Sequence, residues 1–363
     1  MSLFNVFRQG AFMSNKPNIT TINQARTTES GFEFPSIDIA WNSWGTLNET
    51  KDNVILICHA LTGSSNAKDW FYGLFESNGF IDLDKHFVLC INNLGSCYGS
   101  TGPTSVSPVT GKPYQANFPE ITIRDIVKHQ QLLLDHLGIN GVELAIGGSM
   151  GGMVAFEIGL MNPRIQSLAL FAMGKSHTPW AIGISHAQRK AIYADEHWQD
   201  GFYDPKVPPQ KGLSAARALA MITYRSPQNY EHKFRRDFNR NKDQFEVESY
   251  LDHQGEKLSS RFDANTYITL TKAMDSHDVS RNRGSFSEAL GSLSIPCLIL
   301  GIDSDLLYPI AEQQELSELI PDSEINQIHS DYGHDAFLIE FEQINKNLIP
   351  FYHSTKSLYE HHT

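Results

Sequence analysis

Val142-Glu143-Leu144-Ala145-Ile146-Gly147-Gly148-Ser149-Met150-Gly151-Gly152-Met153 decides how the rest of the chain is read. The run 142–146 is short and largely apolar, as in a strand buried on both faces. Gly-x-Ser-x-Gly follows, and then a helix-like stretch over 153–161 that stops at Asn162-Pro163. A serine between strand and helix in this setting sits on a sharp turn that presents it as a nucleophile. Glycines at 147 and 151 let strand and helix approach without colliding Cβ atoms. Ser149 is therefore expected at the carboxyl edge of a sheet, with the positive end of a helix directed at it.

Other short apolar runs flank this segment. Val54–Cys58 and Phe87–Ile91 precede it, with an alternating strand over 36–44 and a periodic helix over 121–137 ended by Gly138. Strands at 168–172 and 295–300 follow. Strands alternating with helices predict an α/β protein whose mostly parallel sheet is covered on both faces by helices. Between 176 and 290 the texture changes to aromatic, Arg-containing, helix-like stretches such as 187–194, 214–223 and 265–274. This block reads as a helical cap inserted into a core made of 1–175 and 291–363. The first 35 residues read as a polar surface arm or edge hairpin.

Composition narrows the function classes. The 363 residues are 40% apolar and 19% charged, ordinary for a folded protein. A formal charge of −12 argues against a general nucleic-acid binder, which needs a basic face. The charge is uneven: 176–290 holds 16 basic and 15 acidic residues, the remainder 13 and 26. No apolar run approaches the roughly 20 residues that span a membrane. The amino-terminal stretch lacks a signal-peptide pattern, so a cytoplasmic location is expected. Cys58, Cys90 and Cys297 sit in or beside apolar runs and read as buried strand residues, while Cys97 lies in a Gly/Ser-rich loop. No metal site is expected.

An elbow serine needs an acid and then a histidine, in that chain order. Asp303 and Asp305 both follow a late strand, and the pattern alone leaves the choice between them open. Of 15 histidines, His334 lies at the required place, after a short strand and Gly333. The negative oxygen formed during acyl transfer needs two backbone N–H donors. Met150, directly after the serine, supplies one. Leu61, in the His59-Ala60-Leu61-Thr62-Gly63 loop after Val54–Cys58, supplies the other. His59 itself reads as structural.

Several separate motifs now make the chain resemble the homoserine O-acetyltransferases of the α/β-hydrolase superfamily. They include Cys58-His59-Ala60-Leu61-Thr62-Gly63, Asn93-Leu94-Gly95 leading to Gly99-Ser100-Thr101-Gly102-Pro103, and Gly147-Gly148-Ser149-Met150-Gly151-Gly152. Gln188-Arg189-x-Ala191-Ile192, Arg261-Phe262-Asp263-Ala264-Asn265, Ser304-Asp305-x-Leu307-Tyr308-Pro309 and Tyr332-Gly333-His334-Asp335 follow. The resemblance runs from about residue 32 to about residue 342. It implies an α/β-hydrolase fold with a helical lid. It also implies Asp305 as the acid, and Arg217, Tyr224 and Asp335 as contacts to the amino-acid substrate.

The implied reaction moves an acetyl group from acetyl-CoA to the hydroxyl of L-homoserine through an acyl-serine, on the route to methionine. Acetyl-CoA is then a co-substrate and no cofactor is permanently bound. The partners implied are these small molecules and a second copy in a homodimer, with no nucleic acid and no membrane. Arg217 suits a substrate carboxylate and Asp335 an ammonium. Two loops depart from the family pattern: Ser64-Ser65-Asn66-Ala67-Lys68-Asp69, where a His is frequent, and Gly95-Ser96-Cys97, where Gly-Gly-Cys is common. They keep succinyl-CoA as donor, or serine as acceptor, open as alternatives. A plain ester hydrolase and a non-catalytic binding protein on the same fold are further alternatives.

Overall fold

A computed structural model describes residues 16–360; the expected arm at 1–35 therefore lies partly outside the described residues. The apolar runs become strands of one eight-stranded sheet. In chain order these are β1 (Asn18–Ile22), β2 (Ile37–Trp44), β3 (Val54–Cys58), β4 (Phe87–Ile91), β5 (Val142–Gly148), β6 (Leu168–Phe171), β7 (Cys297–Ile302) and β8 (Ser323–Ile328). Their spatial order is β1-β2-β4-β3-β5-β6-β7-β8. The β1–β2 and β2–β4 pairs are antiparallel, and every later pair is parallel. The polar stretch at 18–22 is thus the edge strand β1. The protein has the α/β-hydrolase fold.

All five residues of β3 are buried, and successive residues serve opposite cores. Val54, Leu56 and Cys58 join one apolar cluster with Ile126 and Leu133 of α1 (Ile123–Leu137) and Met153 of α2 (Met150–Met161). Ile55 and Ile57 join the other, with Leu348 and Phe351 from the last helix. Period-two alternation within a continuous apolar run is how a central strand fills both faces. Cys58, Cys90 and Cys297 are buried in strands as expected, and Cys97 is half-buried.

The order β4-β3-β5 marks the topological switch. After β3 the chain adds β4 on one side and later β5 on the other, which leaves a crevice at their carboxyl ends. The Gly-x-Ser-x-Gly turn and the His59–Gly63 loop both open into that crevice.

Between β6 and β7 the chain forms α3 (Pro179–Tyr193), α4 (Gln210–Tyr224), α5 (Pro227–Phe234), α6 (Glu246–Ser259), α7 (Ala264–Asp275) and α8 (Phe286–Gly291). Helices α3, α4 and α7 extend the three sequence-read stretches. Helices α5 and α6 are polar enough to hide from an apolar-pattern reading. This helical segment touches the loops at the carboxyl edge of the sheet. Arg261 donates to the Thr62 carbonyl, Trp180 Nε1 to the Leu306 carbonyl, and Ser226 Oγ to the Asp331 carbonyl. Among the described residues no helix is long and apolar enough to cross a membrane.

Two predictions follow from this packing. A Cβ on Gly147 would lie 2.0 Å from the Gly151 carbonyl oxygen, a backbone atom that cannot swing away. Gly147→Ala should therefore cost at least about 1–3 kcal/mol of overpacking and lower the thermal midpoint by circular dichroism. An unchanged midpoint would contradict the tight approach. Separately, burial pushes His59 and His129 down to about 4, and His177 down to about 3, from the usual 6.5. The unfolded chain takes up protons at these sites before the folded protein does. Their contribution is thus complete above about pH 6.5 and is lost as the pH falls toward 4. Burial lowers His86 and His277 too, and they act in the same sense. Glu312, raised to about 7 by burial, acts in the opposite direction from about pH 4.5 to 7, as do Asp69, Asp125, Asp275 and Glu324, which burial also raises. The melting midpoint at about pH 5 should lie below that at about pH 7.5.

Candidate active site

The turn after β5 is strained as the motif requires. Ser149 has φ 56° and ψ −128°, a left-handed φ that L-residues avoid. Its surroundings hold it there. Ser149 N–H donates to the Phe171 carbonyl at 2.9 Å, and the Ser149 carbonyl accepts from Met153 N–H at 3.1 Å. Gly147 meets Gly151, and a Cβ on Gly151 would lie 2.1 Å from the Cys58 carbonyl. The helix therefore starts at Met150, three residues before its first apolar-periodic position, because the turn itself sets the helical backbone. Ser149 is nearly buried, and its Oγ has no hydrogen-bond partner among the described residues.

Asp305 and His334 are brought together directly. His334 Nδ1 lies 2.7 Å from Asp305 Oδ2, and both side chains are almost completely buried. A carboxylate acceptor at Nδ1 places the ring proton there and leaves Nε2 able to accept one. Asp305 Oδ1 accepts from the Leu307 and Tyr308 N–H groups at 2.8 and 3.0 Å. These bonds hold the Asp305 carboxylate against the turn that follows it. Asp303 is occupied elsewhere, with His329 Nδ1 at 2.9 Å and the Ser330 N–H at 3.1 Å. The rings of Tyr224, Tyr308 and Phe337 surround His334 at centroid distances of 5.5, 5.4 and 5.4 Å. Phe337 also lies against Gly148, the residue before the serine.

The loop after β3 is fixed by His59. Its Nε2 accepts from the Asn93 N–H at 3.0 Å, and its Nδ1–H donates to the Ala60 carbonyl at 2.9 Å. With its pKa pushed down to about 4 by burial, the ring stays neutral and serves as a brace. Leu61 follows this brace, and the Cys58 end of the same loop rests on the first turn of α2. The Leu61 and Met150 N–H groups donate to no other described residue.

Arg217 lies half-buried on α4 with its guanidinium carbon 5.5 Å from the Tyr224 ring centroid. Among the described residues it has no hydrogen bond or ion pair. Tyr224 ends α4 and bridges Arg217 to His334. Asp335 is not free: Arg225 Nη2 lies 3.1 Å from its Oδ2. Arg225 was not singled out from the sequence, and its adjacency to Tyr224 was the only available signal. Burial pushes the Cys97 thiol up to about 12, which does not favour a nucleophilic thiolate. In the departing loop, Ser65 is buried and donates to Asn42 Oδ1 at 2.6 Å. That serine also accepts from Asn92 Nδ2 at 3.0 Å and so braces the loop end.

Known proteins resemble this chain in sequence and fold. A family model described as alpha/beta hydrolase fold matches residues 53–341. A homoserine O-acetyltransferase of Chlorobium chlorochromatii is 50% identical over 94% of this chain and 96% of its own. One of Chlorobaculum tepidum is 52% identical over 91% and 92%. Among solved structures, a homoserine O-acetyltransferase from Bacillus anthracis has a TM-score of 0.85 and 25% identity, covering 93% of this chain and 97% of that one. An acetylester hydrolase from Corynebacterium glutamicum has a TM-score of 0.82, also at 25% identity, covering 93% and 96%. With half of its residues shared across almost the full length of such relatives, the chain belongs to the homoserine O-acetyltransferase family of enzymes.

Proposed function

We propose that the protein transfers an acetyl group from acetyl-CoA to the hydroxyl of L-homoserine by way of an acetyl-Ser149 intermediate. The observation that carries this reading is the line Arg217, Tyr224, His334: an uncommitted cation stands one aromatic ring away from a histidine polarised by Asp305. An ester hydrolase needs the histidine and the serine but has no use for the cation.

In this mechanism His334 Nε2 takes the Ser149 proton while Ser149 Oγ attacks the thioester carbonyl. The Leu61 and Met150 N–H groups hold the negative oxygen, and CoA thiol leaves with the proton returned by His334. Homoserine then enters with its carboxylate on Arg217 and its ammonium toward Asp335. Its hydroxyl gives a proton to His334 Nε2 and attacks the acetyl carbon; as the acyl–serine bond breaks, His334 returns that proton to Ser149 Oγ and O-acetyl-homoserine leaves. The helical segment over the crevice keeps water from the acyl-enzyme. We place this reaction in the cytoplasm, feeding methionine synthesis. We propose a homodimer as the working form, consistent with Leu219 and Ile222 of α4 being 38% and 50% exposed.

The solved acetylester hydrolase of similar shape makes hydrolysis the second reading. Thiol release from acetyl-CoA, followed with and without homoserine, separates the two. Transfer requires a single thiol burst without acceptor and steady release with it, whereas steady release without any amino acid favours hydrolysis. Ser149→Ala should abolish both burst and turnover, and mass spectrometry of the parent should find one acetyl group on the peptide carrying Ser149. Arg217→Ala should raise the KM for homoserine by about 10-fold or more, from loss of a charge-assisted pair, and leave the burst intact. An unchanged KM would remove Arg217 from the acceptor site.

A further inference from the structure

His334 sits in a loop held from two sides. From the core, Ser304 Oγ accepts the Gly333 N–H at 3.0 Å. From the helical segment, three consecutive residues, running from the last residue of α4 to the cap of α5, grip the same loop. The Tyr224 ring packs on the His334 ring. The Arg225 guanidinium pairs with Asp335 and lies 5.3 Å from the Tyr332 ring centroid. Ser226 Oγ donates to the Asp331 carbonyl at 2.5 Å and accepts from the Asn229 N–H at 3.0 Å, so one hydroxyl caps α5 and ties down the loop. Gly333, at φ +64°, passes so close that a Cβ there would lie 2.8 Å from the Ser226 nitrogen. The grip is largely dry: Arg225 and Asp335 are 17% and 15% exposed and Ser226 is buried. An ion pair this enclosed constrains geometry more than a surface pair does.

We propose that Tyr224-Arg225-Ser226 is a positioning element for His334, so that Ser149 is acylated at full rate only when α4 and α5 are seated on the histidine loop. The inference rests on His334 acting as the base but not on the identity of donor or acceptor. Its physical content is that Arg225 and Ser226 fix the residues on both sides of His334, while Asp305 fixes only the ring. The charged and titratable groups around the ring are Asp305 after β7, Asp335 in its own loop, Arg225 and Arg217 from the helical segment, and the Tyr224 and Tyr308 phenols. Glu312 on the helix after Asp305 lies behind that carboxylate, and His232 pairs with Asp331 at the far end of the loop. Removing Arg225 leaves the enclosed Asp335 carboxylate without its partner and frees the residue next to His334 to move.

The test is the pre-steady-state burst of p-nitrophenolate from p-nitrophenyl acetate, which acetylates the serine without CoA or homoserine. Arg225→Gln and Ser226→Ala should each slow the burst by about 10-fold or more, with the amplitude kept near one per chain, because small misplacements of a base are costly. Arg225→Lys should recover a substantial part of the rate. Burst rates within about twofold of the parent in both variants would overturn the inference. So would a fall in amplitude alone that tracks the unfolded fraction by circular dichroism. A parent with no burst overturns the acyl-serine reading, and this inference falls with it; a parent burst beside unaltered variants overturns this inference alone.

Discussion

The site depends on one close approach. The first turn of α2 lies against the end of β3, with only glycine able to stand at 147 and 151. That approach forces Ser149 to φ 56° and aims the N–H groups of α2 into the crevice at the sheet's switch point. A strained backbone at a serine persists only when its surroundings over-determine it. Here a bond to β6, a bond within α2 and two glycine contacts do so. The bracing of the Leu61 loop by His59 repeats the logic on the neighbouring strand, because a neutral buried imidazole can satisfy a donor and an acceptor at once.

The sheet was legible because central strands are short apolar runs with no competing pattern. Val54–Cys58 and Phe87–Ile91 end where the sequence reading ends them. Ser149, His334 and the loop holding Leu61 were legible for a related reason: chemistry requires particular residue types at strand ends. The choice between Asp303 and Asp305 was not legible from spacing. It turns on which carboxylate meets His334 and which meets His329, a matter of loop backbone geometry that brings distant segments together.

The helical segment was legible in outline only. Helices α5 and α6 are amphipathic at best and rich in polar residues; α6 is held by packing along α4, and α5 rests on α6 and donates from Tyr230 to the Met221 carbonyl of α4. Arg225 was no more legible. A lone arginine after a tyrosine has no signature, and its partner Asp335 is 110 residues away in the chain. Long-range ion pairs are set by topology, which a local reading does not reach.

The strand order carries a consequence for biosynthesis. β6 and β7 are neighbours in the sheet, yet the whole helical segment is made between them. A growing chain that has released β6 holds the elbow serine but has an open parallel edge and neither Asp305 nor His334. Such an edge can pair with another chain, and its protection waits on β7, made only after the whole helical segment. On the proposed mechanism the nucleophile is translated well before anything that can activate it, so a chain halted before β7 carries a folding hazard without a premature acyl-transfer activity.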